Sequence, residues 1–242
     1  MNKVCIVTGA SGGIGSTIAR RLAKDGNYVV LNYLTNEARA CHVKGEIAAA
    51  GGFSEIFRAD VSKFEEAKRL IDFTIERCGR LDILVNNAGI SYHGLLMDMA
   101  ETDYDNIMNI NLKGVFNMTR HALPYLLKTQ GSILNLSSIW SENGAANEVV
   151  YSMTKAGINM FTRSLAKEVA DSGIRVNSIA PGLIDTPMNN NLSQEEKSEI
   201  TSYLASKRMG TPEDIASLAS FLLSGSASYI NGQVITVDGG YL

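Results

Sequence analysis

Short apolar runs alternate along this chain with longer segments in which apolar residues recur every three or four positions. The runs Val4-Cys5-Ile6-Val7, Val29-Val30-Leu31 and Ile83-Leu84-Val85 are apolar at every position, not at every second one. A strand reads that way when both of its faces are buried. Runs of this kind predict strands at about 3–8, 28–33, 53–58, 81–86, 132–137, 174–180 and 233–237, with amphipathic helical segments between them. Strand and helix in alternation imply an α/β fold, a single-domain doubly wound parallel sheet of Rossmann type with helices on both faces. Ligands of such sheets bind at the C-terminal ends of the strands.

One stretch breaks the alternation. Residues 183–211 are polar after Pro181-Gly182, include Asn189-Asn190-Asn191, and then carry Ile200, Tyr203 and Leu204 at helical spacing. They are expected to form a lid over a pocket within the domain that spans residues 1–242. No Pro/Gly/Ser-rich linker, repeat or low-complexity tract divides the chain.

Composition narrows the class of partner. A formal charge of −3 argues against a nucleic-acid or anionic-membrane partner, which would require a clustered basic surface. No apolar run approaches the roughly 18 residues of a membrane span. Cys5, Cys41 and Cys78 form no CxxC and stand beside no His cluster, so neither a disulfide framework nor a metal site is expected. A cytoplasmic protein fits these features.

The strand Val4 to Val7 runs into Thr8-Gly9-Ala10-Ser11-Gly12-Gly13-Ile14-Gly15, and a helix from Ser16 to Lys24 follows. Strand, glycine turn and helix is the order of a phosphate cradle. Glycines let the backbone approach a pyrophosphate, and the helix N-terminus offers free N–H groups at the positive end of its dipole. Gly9, Ser11, Gly13, Ile14 and Gly15 are therefore candidate cofactor residues. Asp60-Val61 ends the third strand, and Asn86-Asn87-Ala88-Gly89 ends the fourth. An Asp there could accept from an adenine amine, and Asn87, Ala88 and Gly89 could let a ribose approach; a strand-end cap or a tight turn would use the same residues.

Tyr151 and Lys155 lie at i and i+4, stacked one turn apart if the segment is helical. An ammonium held there would favour the phenolate and lower a phenol pKa that is about 10 unperturbed, making Tyr151 a proton donor near neutrality. Tyr203 and Lys207 repeat the spacing, as a pair on a lid helix. Only the first pair has Ser138 upstream of it, where a hydroxyl could orient a carbonyl.

Together, Thr8-Gly9, Gly13, Gly15, Asn86-Asn87-Ala88-Gly89, Asn111, Ser138, Tyr151, Lys155 and Pro181-Gly182 with Thr186 resemble the motifs of the short-chain dehydrogenase/reductase family, in its order and spacing. The resemblance implies hydride transfer between a nicotinamide and a carbonyl carbon. It implies that Tyr151 donates the proton, that Lys155 tunes Tyr151 and holds the nicotinamide ribose, and that Ser138 rather than Ser137 orients the carbonyl. Asn111 would anchor a proton-relay water, and Pro181, Gly182, Ile184 and Thr186 would border the nicotinamide. It also implies a homotetramer built from helices at about 103–128 and 150–170 and from the segment at about 213–237.

The end of the second strand, Asn32-Tyr33-Leu34-Thr35-Asn36, carries no acid that would bind a ribose 2′-hydroxyl, which favours NADP(H) over NAD(H). The basic residue that NADPH enzymes of this family often carry in the glycine turn is replaced by Gly12, so Tyr33, Thr35, Asn36 and backbone amides are the expected ligands there. Within the family the chain is most similar to 3-oxoacyl-acyl-carrier-protein reductases, through Leu95-Leu96-Met97, Asn111-Leu112-Lys113-Gly114-Val115-Phe116 and Val237-Asp238-Gly239-Gly240. Thr129-Gln130 and Asp171-Ser172 stand where such reductases use arginines to dock an acidic carrier. Ser138-Ile139-Trp140 with Gly144-Ala145 and Glu148-Val149 is similar to reductases of a 5-aminopentanone group on elongation factor P. Candidate substrate residues are His93, Trp140, Glu142, Glu148 and Met188, with Glu142 or Glu148 expected to meet a substrate cation.

Overall fold

The computed structural model describes residues 3–187 and 193–241. Seven parallel strands form one sheet in the order β3-β2-β1-β4-β5-β6-β7. They are β1 (Val4–Val7), β2 (Tyr28–Tyr33), β3 (Phe53–Arg58), β4 (Ile83–Asn86), β5 (Ser132–Leu136), β6 (Arg175–Pro181) and β7 (Val234–Val237). The helices are α1 (Gly13–Lys24), α2 (Glu37–Ala49), α3 (Phe64–Cys78), α4 (Glu101–Met108), α5 (Gly114–Thr129), the short α6 (Trp140–Asn143), α7 (Val149–Glu168), α8 (Gln194–Tyr203) and α9 (Pro212–Leu223).

The unbroken apolar strands are explained by two cores. Cys5 and Val7 of β1 point into one cluster with α1, α2 and α9, while Ile6 points into the other with α3, α5 and α7. Ile83 and Val85 of β4 divide from Leu84 in the same way. Since successive strand side chains face opposite ways, a centre strand needs an apolar residue at every position. Strand order reverses at β1, which pairs with β2 on one side and β4 on the other. The glycine turn leaves β1 at that switch point.

A polar chain crosses the second core. Asn86 Nδ2 donates to Asn135 Oδ1 at 2.9 Å and to Thr119 Oγ1 at 3.1 Å, and Asn135 Nδ2 donates to Thr162 Oγ1 at 2.9 Å. Four elements, β4, β5, α5 and α7, are thereby held in one register. Buried amides left unpaired would each cost about 1–3 kcal/mol, so the chain fixes α7 against the sheet specifically.

The segment at 183–211 is tied at its base. Ile184 bridges Gly210, Asp185 N–H donates to Gly210 O at 2.9 Å, and Gly210 N–H donates to Leu183 O at 2.9 Å. Its helix begins with a capping box between Ser193 and Glu196 and ends at Tyr203. Lys207 lies beyond that end with φ of 54° and donates through Nζ to Ser202 O at 2.6 Å. Tyr203 and Lys207 are therefore not one turn apart on a helix, contrary to the sequence expectation. Met188 and Asn189-Asn190-Asn191 fall outside the described residues.

Candidate active site

The glycine turn is shaped by contacts no side chain would survive. Gly9 has φ of 64°, and a Cβ on it would lie 3.0 Å from Ala88 Cα. A Cβ on Gly15 would lie 2.3 Å from Asn87 Nδ2 and 2.5 Å from Gly9 O. Thr8 and Asn87 lock this turn to β4: Thr8 Oγ1 accepts from the N–H groups of Asn87 and Ala88 at 2.9 and 3.0 Å, and Asn87 Nδ2 donates to Thr8 O at 2.8 Å. The amide of Asn87 therefore braces the turn.

Above this packed base the turn is open. The nearest atom to a Cβ on Gly13 is in Thr186, at 3.8 Å, so the loop after β6 faces the turn with room for a methyl group between them. Helix α1 begins there without a side-chain cap and without an acidic residue in its first turn. Free N–H groups and the positive dipole end point into that opening, which fits a dinucleotide pyrophosphate.

Other cofactor candidates are placed around the same strand ends with different degrees of engagement. Asp60 Oδ1 accepts from Ser62 N–H and hydroxyl at 2.9 and 2.6 Å, a strand-end cap. Val61 and Ile184 bury their side chains in the two cores, leaving backbone atoms as the groups they can present. Gly182 closes against β7, where a Cβ would lie 2.7 Å from Asp238 Cα. Tyr33 is buried; burial first, and then the Glu37 carboxylate that accepts from its hydroxyl, hold its phenol above the usual value. Asn36 caps α2, its Oδ1 accepting from Arg39 N–H at 2.9 Å.

Tyr151, Lys155 and Ser138 come together at the ends of β5 and α7. The hydroxyl of Ser138 is hydrogen-bonded to the Tyr151 phenol and accepts from Trp140 N–H at 3.2 Å. Ser137 faces the other way and donates to Lys155 O at 3.2 Å. The two serines are thus separated by geometry, and Ser138 alone meets the tyrosine. Lys155 Nζ is buried, donates to Leu136 O at 2.8 Å and lies 5.5 Å from the centroid of the Tyr151 ring. Gly89 packs closely here: a Cβ on it would lie 3.3 Å from Asn111 Oδ1, a tight contact, and 3.6 Å from Lys155 Nζ, an ordinary one.

Burial dominates the charges. It pushes the Tyr151 phenol up to about 12, with the Ser138 hydrogen bond working against it and the Glu148 carboxylate with it. Burial also brings the Lys155 ammonium down to about 8. The sequence reading has the Lys155 ammonium lowering the phenol; in this structure the direction is set by burial of the phenol and is upward. A phenol held protonated, beside an amine that can exchange its proton near neutrality, is arranged to give a proton and be resupplied.

Asn111 was expected within a regular helix. It lies instead in a π-turn, Asn109–Lys113, between α4 and α5, and is 0% exposed. Oδ1 accepts from Ile90 N–H at 2.9 Å, and Nδ2 donates to Ile90 O at 2.9 Å and to Thr154 Oγ1 at 3.1 Å. Thr154 Oγ1 donates in turn to Tyr151 O at 2.7 Å. Thr154 was not singled out from sequence, although a Thr three residues after the tyrosine has the reach to bond that carbonyl.

The substrate candidates separate. Glu148 is half-buried beside Tyr151, with Oε1 4.0 Å from Nδ1 of the exposed His93; burial raises its carboxyl, and His93 opposes the shift. Trp140 packs edge-on against Tyr241, ring centroids 5.6 Å apart. Glu142 is exposed and pairs with Arg163 of α7 at 3.5 Å. No cluster of His, Cys, Asp or Glu among the described residues could hold a metal ion, and no helix among them is long and apolar enough to cross a membrane.

A family model described as enoyl-(acyl carrier protein) reductase matches residues 9–242. A 3-oxoacyl-[acyl-carrier-protein] reductase of Staphylococcus epidermidis is 43% identical over 241 residues, 99% of each chain. Among solved structures, a dehydrogenase/reductase from Sinorhizobium meliloti superimposes with a TM-score of 0.94 at 35% identity, covering 99% of this chain and 94% of that one. A blue fluorescent protein from a metagenomic library, in complex with NADPH, gives 0.93 at 33% identity, with 99% and 97% covered.

Proposed function

From the premise that the chain belongs to the short-chain dehydrogenase/reductase family, we propose that it is an NADPH-dependent carbonyl reductase acting on a 3-oxoacyl thioester. The observation that carries the reaction type is the hydrogen-bonded pair Ser138–Tyr151 beside the buried Lys155. The similar reductase of Staphylococcus epidermidis supports the substrate class, and the absence of an acid in Tyr33-Leu34-Thr35-Asn36 supports the phosphorylated cofactor.

When bound, the reduced nicotinamide supplies the hydride that becomes the carbinol C–H. The chain's own residues handle the oxygen. Ser138 donates a hydrogen bond that orients the ketone, and Tyr151 gives up its phenolic proton as negative charge develops on that oxygen. One hydride and one proton convert the ketone to the alcohol, and the phenolate left on Tyr151 is reprotonated from Lys155. Asn111 anchors the water that returns a proton to Lys155 in this reading. Exposed Met153 and Met160 on α7 and Phe116 on α5 support a homotetramer as the working assembly.

The test is NADPH oxidation followed at 340 nm with a β-keto thioester, for the wild type and Tyr151→Phe. Losing the general acid should lower kcat by about two to four orders of magnitude; equal rates would remove the catalytic assignment.

Glu148 favours a second reading. A half-buried carboxylate beside the proton donor suits a ketone that carries a cation, such as a 5-aminopentanone group on elongation factor P. Glu148→Gln should then lose the preference for a cationic over a neutral ketone. An unchanged preference removes this alternative.

A further inference from the structure

Ser138 stands on a short connection, between the end of β5 at Leu136 and the four-residue α6 that starts at Trp140. A single helical turn does not hold itself, so the direction of α6 comes from what it is tied to. The Ser138 carbonyl accepts from the Ser141 N–H at 3.0 Å and also from the Ser141 hydroxyl. The Ser141 oxygen accepts in turn from Asn159 Nδ2 at 2.8 Å. Asn159 lies on α7, one turn beyond Lys155. It is 4% exposed, and its Oδ1 has no hydrogen-bond partner among the described residues. Asparagine is a weak helix former, and a buried amide oxygen left unpaired costs stability. An aliphatic residue at 159 would avoid both costs. What the asparagine contributes is its N–H. A hydroxyl has one proton, so Ser141 can give it to Ser138 O only if the group on its other side donates. The Glu142–Arg163 pair also joins α6 to α7, but an exposed ion pair fixes little.

We propose that Asn159 is a positioning residue for the carbonyl-orienting serine, acting through the Ser141 hydroxyl on the Ser138 backbone. This deepens the reductase reading and rests on it. Tyr151 and Asn159 belong to one helix, so α7 sets the proton donor directly and the orienting hydroxyl through this chain of two bonds. The hydrogen bond between Ser138 and the Tyr151 phenol then keeps its geometry. Lys155 makes the matching tie on the strand side, donating to Leu136 O at 2.8 Å. Both hydroxyls must meet the same ketone oxygen, and an error in their separation appears in rate rather than in binding.

The experiment is NADPH oxidation with the β-keto thioester for Asn159→Leu, Ser141→Ala and Ser141→Thr, each made in the wild type and in Ser138→Ala. With Ser138 present, Asn159→Leu and Ser141→Ala should each lower kcat by about tenfold with KM within about twofold, and combining them should lower it no further. Ser141→Thr keeps the hydroxyl and should stay within about threefold of the wild type. In Ser138→Ala the same changes should alter kcat by less than about twofold, because the group they position is gone. Equal losses with and without the Ser138 hydroxyl, or no loss in either background, overturn the proposal. Amide exchange of the Trp140 N–H, which donates to Ser138 Oγ at 3.2 Å, reads the tether without turnover. It should quicken by about tenfold in Asn159→Leu and in Ser141→Ala while the buried Val176 amide of β6 is unchanged. Unchanged Trp140 exchange overturns the tether whatever the kinetics show. A wild type that leaves NADPH unoxidised overturns the reductase reading instead, and exchange still decides whether Asn159 holds the Ser138 turn.

Discussion

The amide of Asn111 donates to the hydroxyl of Thr154 at 3.1 Å, joining the π-turn before α5 to the helix that carries the proton donor. Because Thr154 passes the bond on to the carbonyl of Tyr151, the backbone under the tyrosine is set by a residue far away in sequence. Thr154→Val keeps the shape and removes the acceptor. It should cost about 1–3 kcal/mol in urea unfolding by leaving one of the two Asn111 amide hydrogens, and the Tyr151 carbonyl, without that hydroxyl partner, while the bonds of Asn111 to Ile90 remain. It should lower kcat with little change in KM, and Thr154→Ser should restore both.

The depressed Lys155 and the raised Tyr151 set the pH dependence. The Lys155 charge is lost as pH rises through about 8, while the phenol stays protonated until about 12. Ketone reduction should therefore be flat at lower pH and fall on the alkaline side with an inflection near 8 that belongs to the lysine. Lys155→Arg, whose guanidinium does not titrate there, should remove the inflection whatever it does to the plateau.

Stability should move oppositely to activity in that window. Between about 8 and the ordinary value of 10.5, the unfolded chain keeps a proton on Lys155 that the folded chain releases, so this residue makes stability rise with pH. Tyr151 acts in reverse above 10, where the folded chain holds the proton longer. Denaturant midpoints on either side of pH 8 should show a positive slope in the wild type that is reduced in Lys155→Met.

Neighbouring glycines of the turn should differ sharply. Gly15→Ala places a Cβ 2.3 Å from Asn87 Nδ2 and 2.5 Å from Gly9 O, so it should abolish nucleotide binding and lower Tm. Gly12→Ala meets nothing nearer than 4.0 Å and should fold with an unchanged melting curve.

The serine pair gives a similar contrast. Ser138→Ala should reduce kcat by about two to three orders of magnitude, as for loss of one donor to a developing oxyanion. Ser137→Ala removes only a bond to the α7 backbone, and its effect should appear in unfolding rather than in kcat.

Much of this architecture is legible in the sequence because burial on two faces writes itself into Cys5-Ile6-Val7 and Ile83-Leu84-Val85 as unbroken apolar runs. The glycine turn is legible for a related reason, since Gly9 and Gly15 stand where a Cβ would clash. The π-turn at Asn109–Lys113 has no such signature, because widening a helix by one residue changes hydrogen bonding without demanding a particular side chain. The sense of the Tyr151 shift depends on how deeply α7 sinks its first turn, which spacing does not encode. The Tyr203 and Lys207 repeat misled because helical spacing says nothing of where the helix stops.

Placing β1 at the switch point also governs how the chain assembles. Its pairing with β2 closes over the short span from Val4 to Tyr28, but its other edge stays open until Ile83 arrives, and β5 through β7 can only be added outward from there. Each addition closes a crossover loop before its contacts repay the lost entropy, so the native topology is slow to reach and exposes apolar strand edges while it waits. Thr8, Ser138 and Thr186 follow strands added at different stages, and Tyr151 stands on the helix between β5 and β6, so regained activity during refolding marks completion of the sheet through at least β6, and dilute conditions should favour its recovery.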